Sequence, residues 1–237
     1  MRWVSAHGKE FLIHEKAEEK THRRSTDFRE SIRGRAIHEL LFQPAPGNVF
    51  PFFPALMTAL AVLMTNSASL VSARPKSSLI WVDSTGTFYP LGALGCGISP
   101  ERMHVLRPRP SDVVWATIES LRCRSVGAVV ALMTQPLTRV EVRRLQLAAE
   151  TGGGIAVLIR PDMASAASHI YAAATRWLVT PAPGERTIQR WHLQRVHGHG
   201  WQIGQSFVLE KNRATGQANF VHLPASLVDH PTISAAS

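Results

Sequence analysis

Alternation of strand-like and helical segments is the feature that most constrains this chain. From Ala36 onward, short apolar runs rich in β-branched residues alternate with stretches of helical period. We predict strands at 37–42, 78–82, 103–106, 128–133 and 155–159. Helices are predicted at 55–64, 110–121 and 137–150. Strands that alternate with helices form a mostly parallel sheet, so the fold class is α/β.

Beyond residue 174 the pattern changes to consecutive strands separated by turn residues. The predicted strands are 175–179, 187–196, 201–205, 207–209 and 219–223. Turns are predicted at 181–184, 197–200 and 214–216, where proline and glycine cluster. We therefore expect antiparallel hairpins to extend the parallel sheet at its C-terminal edge.

Three segments differ in composition. Residues 1–35 interleave both charges around few apolar positions, which indicates a basic helical arm. Residues 36–223 form the predicted α/β domain, and residues 224–237 a flexible tail. The N-terminus has no apolar run of the kind that directs secretion, so we expect the cytoplasm.

The stretch 40–73 contains no charged residue and is long enough to cross a bilayer. Four prolines break its first half, so the predicted helix covers only 55–64. A helix of that length is too short to span the hydrocarbon core. We expect a buried helix and no membrane contact.

The charge balance suggests a phosphate-rich partner. Lys and Arg number 26 against 17 Asp and Glu, for a net charge of +9 and a sequence pI of about 10.5. The two cysteines, Cys96 and Cys123, are too few for a disulfide framework, and we expect both to be reduced core residues. The six tryptophans are spread along the chain, which favours packing over a base-stacking row.

The loop after the first strand occupies the place of a phosphate-binding loop. Such a loop needs small residues whose N–H groups point inward, a lysine for the phosphates and a hydroxyl for magnesium. Residues 43–54 contain one glycine, four prolines and no lysine. Because proline has no N–H group, this loop does not predict a nucleotide site. We expect Phe50, Phe52 and Phe53 to fill the cleft instead.

Several short segments, in this order and spacing, resemble the RecA-type ATPase core and, more narrowly, ImuA, the RecA-like accessory protein of bacterial translesion synthesis. The segments are 37–40, 79–83, 97–102, 115–123, 144–150 and 172–177. The resemblance spans about residues 36 to 210. It implies a RecA-like core with degenerate Walker motifs.

The resemblance also locates two further losses. The equivalent of the Walker B strand, 127–133, ends without a carboxylate that could hold magnesium. Where active relatives place a catalytic glutamate after the second strand, this chain has Asp83, Ser84 and Thr85. We therefore predict no catalytic residues and no cofactor, and a structural role for Asp83 and for Glu39.

One string near the C-terminus points to a binding surface. Lys211, Asn212 and Arg213 resemble the Lys-Asn-Arg element with which RadA- and DnaB-type relatives reach a neighbouring subunit's nucleotide phosphates. The functional interpretation is a contact to an acidic or phosphate-bearing partner. A solvated hairpin turn is the alternative, and the sequence leaves both open.

Four arginines are candidates for contact with DNA. Arg139 and Arg143 share one side of a predicted helix, but Glu141, Gln146 and Glu150 lie on the same helix, and a solvated helix face is the favoured explanation. The resemblance places Arg160 where RecA carries a nucleotide-sensing residue, at the start of a DNA-binding loop, and we add Arg176 to it. A metal site formed by His192, His197 and His199 is not predicted, because Gly198 and Gly200 favour a turn.

The expected function follows from the resemblance. It implies a non-catalytic adaptor in SOS-induced, error-prone translesion synthesis. The implied partners are an ImuB-like polymerase-related protein, an error-prone replicative-type polymerase and RecA, with single-stranded DNA as a further candidate. The alternative is a SulA-like SOS inhibitor that binds the division GTPase and stops cell division.

Overall fold

The computed structural model describes residues 35–43, 77–88, 100–162, 173–198, 203–215 and 217–223, together with residues 32, 59 and 90. These residues include nine strands. They are β1 (Ile37–Phe42), β2 (Ser78–Val82), β3 (Met103–Leu106), β4 (Val126–Leu132), β5 (Ile155–Pro161), β6 (Thr175–Ala182), β7 (Ile188–Gly198), β8 (Ser206–Asn212) and β9 (Ala218–Leu223). The two α-helices of the described residues are α1 (Val113–Arg122) and α2 (Arg139–Gly152).

All nine strands join one sheet in the order β3-β2-β4-β5-β1-β6-β7-β8-β9. The first six strands pair in parallel, and β6 through β9 pair antiparallel. The predicted fold class is therefore confirmed. The central strands β1, β4 and β5 are buried along almost their whole length, as expected for parallel strands with both faces covered.

The sheet has an apolar cluster on each face. One cluster contains the inward side chains of α1 and α2, among them Val113, Leu121 and Leu145. The opposite cluster continues into the antiparallel strands and contains Trp177 and Phe207, whose rings meet edge to face with centroids 5.7 Å apart. The apolar core thus extends through the hairpins as well as the parallel strands.

Local signals define the ends of α2. The Thr138 hydroxyl accepts a hydrogen bond from the Glu141 N–H, and the Glu141 carboxylate accepts one from the Thr138 N–H, which forms a capping box. At the other end Gly153 has φ 77°, a left-handed conformation that glycine adopts without strain. Gly152 lies against the backbone of Leu121, at the end of α1.

Most predicted elements match within a few residues, but one strand was wrong. We predicted a strand over 201–205 and a break at Ser206. In the structure Ile203 and Gly204 form the turn between β7 and β8, with Gly204 at φ 86°, and Ser206 begins β8. The predicted turn at 197–200 was also early, because β7 continues to Gly198.

Several predictions lie outside the described residues. These are the arm up to residue 31, the tail from residue 224, the three phenylalanines of the proline-rich loop, and the helix 55–64 apart from Ala59, which is helical. Within the described residues, no helix has both the length and the apolar character needed to cross a bilayer.

Candidate functional site at the carboxyl edge of the sheet

The parallel strands β1, β2, β4 and β5 end at the same edge of the sheet. In open α/β sheets ligands bind in the crevice outside this carboxyl edge. The chemistry of the candidate site therefore depends on the residues that follow these strands. Two of those positions are described over several residues: the segments after β2 and β4.

The segment after β4 has no acidic side chain to offer. Met133 is buried and pairs through its N–H with the Ile159 carbonyl, at 2.9 Å. Thr134 and Gln135 follow and are exposed. Since magnesium in nucleotide sites is held through carboxylate and hydroxyl oxygens, the end of β4 provides no carboxylate for it.

Asp83, directly after β2, is committed to its own loop. Its buried carboxylate accepts hydrogen bonds from the Thr85 N–H at 2.9 Å, the Phe88 N–H at 2.7 Å and the Thr85 hydroxyl. The Phe88 ring stacks on Trp81, with centroids 4.0 Å apart. These contacts hold the loop 84–88 against the sheet. Asp83 thus serves a structural role, as the sequence suggested.

The Lys211-Asn212-Arg213 string also lies at the carboxyl edge. β8 runs in the same direction as β1, because two antiparallel pairings separate it from β6. Its last residue, Asn212, accepts hydrogen bonds through Oδ1 from the N–H groups of Ala214 at 2.8 Å and Thr215 at 3.1 Å. Asn212 therefore shapes the turn, and Lys211 and Arg213 lie on either side of it.

Lys211 is half-buried, and Arg213 is exposed with its N–H bonded to the Thr187 carbonyl at 2.9 Å. β8 is three strands from β1, about 14 Å at the usual strand spacing. A side chain at this hairpin therefore lies to one side of the nucleotide position of a P-loop protein. That position suits contact with a neighbouring molecule.

The two acidic residues near the hairpin share one arginine. Arg190 forms ion pairs with Glu210 at 2.6 Å and with Glu185 at 3.0 Å. The hydrogen bond to Glu210, followed by that to Glu185, raises the pKa of Arg190 above its ordinary value. Since Arg190 is committed to these carboxylates, Lys211 and Arg213 add positive charge to this end of the sheet.

Two of the four predicted DNA-contacting arginines are not on the surface. Arg160 and Arg176 are 3% and 8% exposed, and both pair with Glu39, which is 0% exposed. The Arg160 Nη1 to Glu39 Oε1 distance is 2.7 Å, and the Arg176 Nε to Glu39 Oε2 distance is 2.6 Å. Burial and pairing are at odds with a phosphate contact, because either guanidinium would have to abandon Glu39. This corrects the expectation for both residues.

A second polar network lies on the opposite face of the sheet, and sequence reasoning missed it. The Trp177 indole N–H donates to the Thr175 hydroxyl at 3.1 Å, and this hydroxyl lies 2.8 Å from His38 Nδ1. The Arg195 guanidinium lies 4.4 Å from the Trp177 ring centroid. Burial lowers the pKa of Arg195 to about 10, so it stays charged at neutral pH. No motif marks these residues, because strand register alone brings them together.

Arg139 and Arg143 are exposed on α2, together with Arg144. Their contact with DNA stays a prediction. Cys123 is exposed, so the expectation that it is a core residue was wrong. Trp115, one of the six tryptophans expected to pack, is 66% exposed on α1. The Ser125 hydroxyl lowers the pKa of the Cys123 thiol below its ordinary value.

Among the described residues no group of three or more His, Cys, Asp and Glu could hold a metal ion.

Comparison with solved structures identifies the fold. The chain is similar to the crystal structure of the RadB recombinase, with a TM-score of 0.56 and 11% sequence identity. The match covers 81% of this chain and 93% of the RadB chain. The fold is therefore RecA-like. No protein-family model matches the chain.

Sequence comparison identifies the particular relative. Two curated proteins named ImuA, from two strains of Caulobacter vibrioides, are each 25% identical to this chain over 194 residues. The match covers 74% of this chain and 77% of each relative. The chain is thus similar to ImuA over most of its length, as the sequence resemblance implied.

Proposed function

We propose that this ImuA-like protein is a non-catalytic RecA-like adaptor in SOS-induced, error-prone translesion DNA synthesis. Similarity to ImuA and the RecA-like fold support a role of this kind. The resemblance implies three cytoplasmic partners: an ImuB-like polymerase-related protein, an error-prone replicative-type polymerase and RecA. Single-stranded DNA is a further candidate.

The observation that carries the non-catalytic part is the chemistry of the carboxyl edge. β4 is followed by Met133 and Thr134 in place of a carboxylate. Both carboxylate oxygens of Asp83 accept hydrogen bonds from the loop 84–88. The loop after β1 has four prolines and no lysine in sequence. Together these features remove the groups that cradle phosphates and hold magnesium in P-loop enzymes.

The contact element we propose is the β8–β9 hairpin. Lys211 and Arg213 lie on either side of Asn212, which holds the turn through its side chain. A guanidinium and an ammonium at the rim of a RecA-like sheet suit a carboxylate or phosphate group of a RecA-type neighbour. The hairpin would then dock this chain beside an active subunit without using a nucleotide of its own.

The experiment measures binding of the full chain to RecA assembled on single-stranded DNA. We expect the double variant Lys211→Ala/Arg213→Ala to weaken binding about tenfold or more, the equivalent of one lost charge-assisted hydrogen bond. The matched control is Arg107→Ala/Arg109→Ala, two exposed arginines beyond β3, at the other end of the sheet. We expect less than about a twofold change for the control.

Equal binding by the hairpin variant and the wild type would remove the hairpin from the proposal. If this protein binds neither RecA nor the ImuB-like protein but binds the purified division GTPase, the SulA-like alternative is favoured. The two functions predict different binding partners, so one set of binding measurements distinguishes them.

A further inference from the structure

Two apolar side chains lie at the centre of the solvent-facing side of α2. Val140 is 61% exposed and Leu147 is 43% exposed. They are seven residues apart, so they share one side of the helix, about 10 Å apart along its axis. The buried side of α2 contains Val142 and Leu145, among others, and faces the sheet. Val140 and Leu147 therefore contribute little to the packing of the core.

Two arginines lie between these apolar residues. Arg143 and Arg144 are three and four positions after Val140 and are both exposed. Of the two acidic side chains of α2, Glu141 belongs to the capping box, and the exposed Glu150, three positions after Leu147, accepts a hydrogen bond from Gln146 at 2.8 Å. The arginines on the exposed side therefore outnumber its one carboxylate. The exposed side of α2 is therefore both apolar and positively charged. We call Val140, Arg143, Arg144 and Leu147 the α2 stripe.

The neighbouring helix also has an exposed apolar side chain. α1 packs beside α2 on the same face of the sheet, and Trp115 lies in its first turn, as Val140 lies in the first turn of α2. Both helices begin at the carboxyl edge, because each follows a parallel strand. Trp115 is opposite the buried residues Val113 and Ala116 and is 66% exposed. Exposed tryptophan and arginine are the residues most enriched in binding hot spots.

We propose that the α2 stripe and Trp115 form a docking surface for an acidic amphipathic helix of a partner protein. The positive charge of Arg143 and Arg144 calls for Asp or Glu in that segment. The apolar side chains call for leucine-like anchors at i, i+3 or i+4, and i+7, the spacing of helices that dock through one face.

The apolar residues argue against a nucleic-acid backbone as the occupant. A phosphate backbone is bound by cations and polar groups, and it offers no partner for the aliphatic side chains on either side of the two arginines. The surface lies on the helical face of the sheet, whereas the Lys211 hairpin lies at its carboxyl edge. The inference therefore goes beyond the proposed function and does not depend on the hairpin.

The test uses the full chain and three labelled probes. The first is a synthetic helical peptide with leucines at i, i+4 and i+7 flanked by glutamates. The second has the same composition in scrambled order, and the third is a single-stranded oligothymidylate. We expect the first peptide to bind about tenfold or more tighter than the scrambled one, with binding followed by fluorescence anisotropy.

Two variants separate the apolar contribution from the charge. Val140→Ser/Leu147→Ser keeps every arginine, and we expect it to weaken the first peptide about tenfold or more. Arg143→Gln/Arg144→Gln keeps the apolar residues, and we expect a similar loss. The matched control is Ile203→Ser/Val221→Ser, which changes two residues of nearly equal exposure, 65% and 43%, in the antiparallel part of the sheet. An unchanged thermal midpoint (Tm) confirms that each variant is folded.

Two outcomes would overturn the inference. One is equal binding of the ordered and scrambled peptides. The other is preference for oligothymidylate that falls with Arg143→Gln/Arg144→Gln, survives Val140→Ser/Leu147→Ser and drops steeply with salt, which is the signature of a phosphate-binding surface. Neither outcome concerns RecA binding through Lys211 and Arg213, so the proposed function is tested independently of this inference.

Discussion

Two groups of arginines have opposite environments in this molecule. Arg160 and Arg176 lie within the sheet and pair with the buried carboxylate of Glu39. Arg143 and Arg144 lie on the outer side of α2 and are exposed. In sequence both groups look like surface cations on an α/β domain with a net charge of +9. The difference shows that strand register, not charge, determines which arginines are exposed and can contact another molecule.

The register explanation is specific. Glu39 on β1 pairs with Arg176 on β6, and Arg160 is two residues beyond Leu158, the partner of Glu39 on β5. All three side chains therefore point to the same face of the sheet. Two guanidiniums share one carboxylate there, so each of the three charges is desolvated and depends on the others.

The largest expected effect comes from breaking this buried group. Glu39→Gln leaves two guanidiniums without their anion, and we expect the free energy of unfolding to fall by about 3 to 5 kcal/mol in a urea titration. The matched control is Glu119→Gln, which removes an exposed carboxylate paired with Arg122 at 2.7 Å. We expect the control to change stability by less than about 1 kcal/mol.

Replacing the whole buried charge group by apolar side chains tests the same explanation. The triple variant Glu39→Leu/Arg160→Met/Arg176→Met removes all three charges at similar volume, and it should recover most of the stability lost in Glu39→Gln. A Glu39→Gln variant as stable as Glu119→Gln would contradict the claim that these arginines act inside the sheet.

The second expected effect concerns the attachment of the helical layer. A Cβ at Gly152 would lie 1.7 Å from the Leu121 carbonyl oxygen, which belongs to backbone and cannot rotate away. We expect Gly152→Ala to cost about 3 kcal/mol in the same titration, because α2 must shift from α1. Thr151→Ala, at the exposed neighbouring position, should change little. Near-wild-type stability of Gly152→Ala would mean that the two helices are less tightly joined.

A smaller effect is expected at the start of α2. Thr138→Ala removes the hydroxyl that caps the helix and should cost about 1 kcal/mol, measured by thermal or urea unfolding. Thr138→Ser keeps the hydroxyl and should restore nearly all of it. A serine variant as unstable as the alanine variant would show that the capping bond is not the cause.

The smallest effect on stability is expected at the exposed arginines. Arg143→Ala/Arg144→Ala should change the free energy of unfolding by less than about 0.5 kcal/mol, because neither side chain forms an ion pair within the described residues. A loss above about 1.5 kcal/mol would move these arginines into the structural group and erase the contrast with Arg160 and Arg176.

How much the sequence predicts depends on whether the signal is local. The strands β1, β2 and β3 were predicted with their observed bounds, because each is a short apolar run between turn or loop residues. The exposure of Trp115 also had a local signal that we did not use: Glu119 and Arg122 follow it at helical spacing on the same exposed side. Such positions can be recovered from helical period alone.

Other features depend on tertiary pairing and had no local signal. The carboxylate that meets Arg160 is 121 residues away in sequence, and the hydroxyl that meets His38 is 137 residues away. These contacts exist because β5, β1 and β6 are adjacent in the sheet, an order that the apolar pattern does not encode. The turn after 211–213 was predicted, since turn residues are a local signal, whereas the string itself was identified by resemblance.

The most direct test of the central claim is ATP turnover by the purified full chain with magnesium, with RecA on single-stranded DNA measured in parallel. The account predicts hydrolysis at the background rate of a no-protein control, because the carboxyl edge has neither a free carboxylate after β2 or β4 nor a lysine in the loop after β1. A magnesium-dependent rate that scales with the concentration of this chain would contradict it.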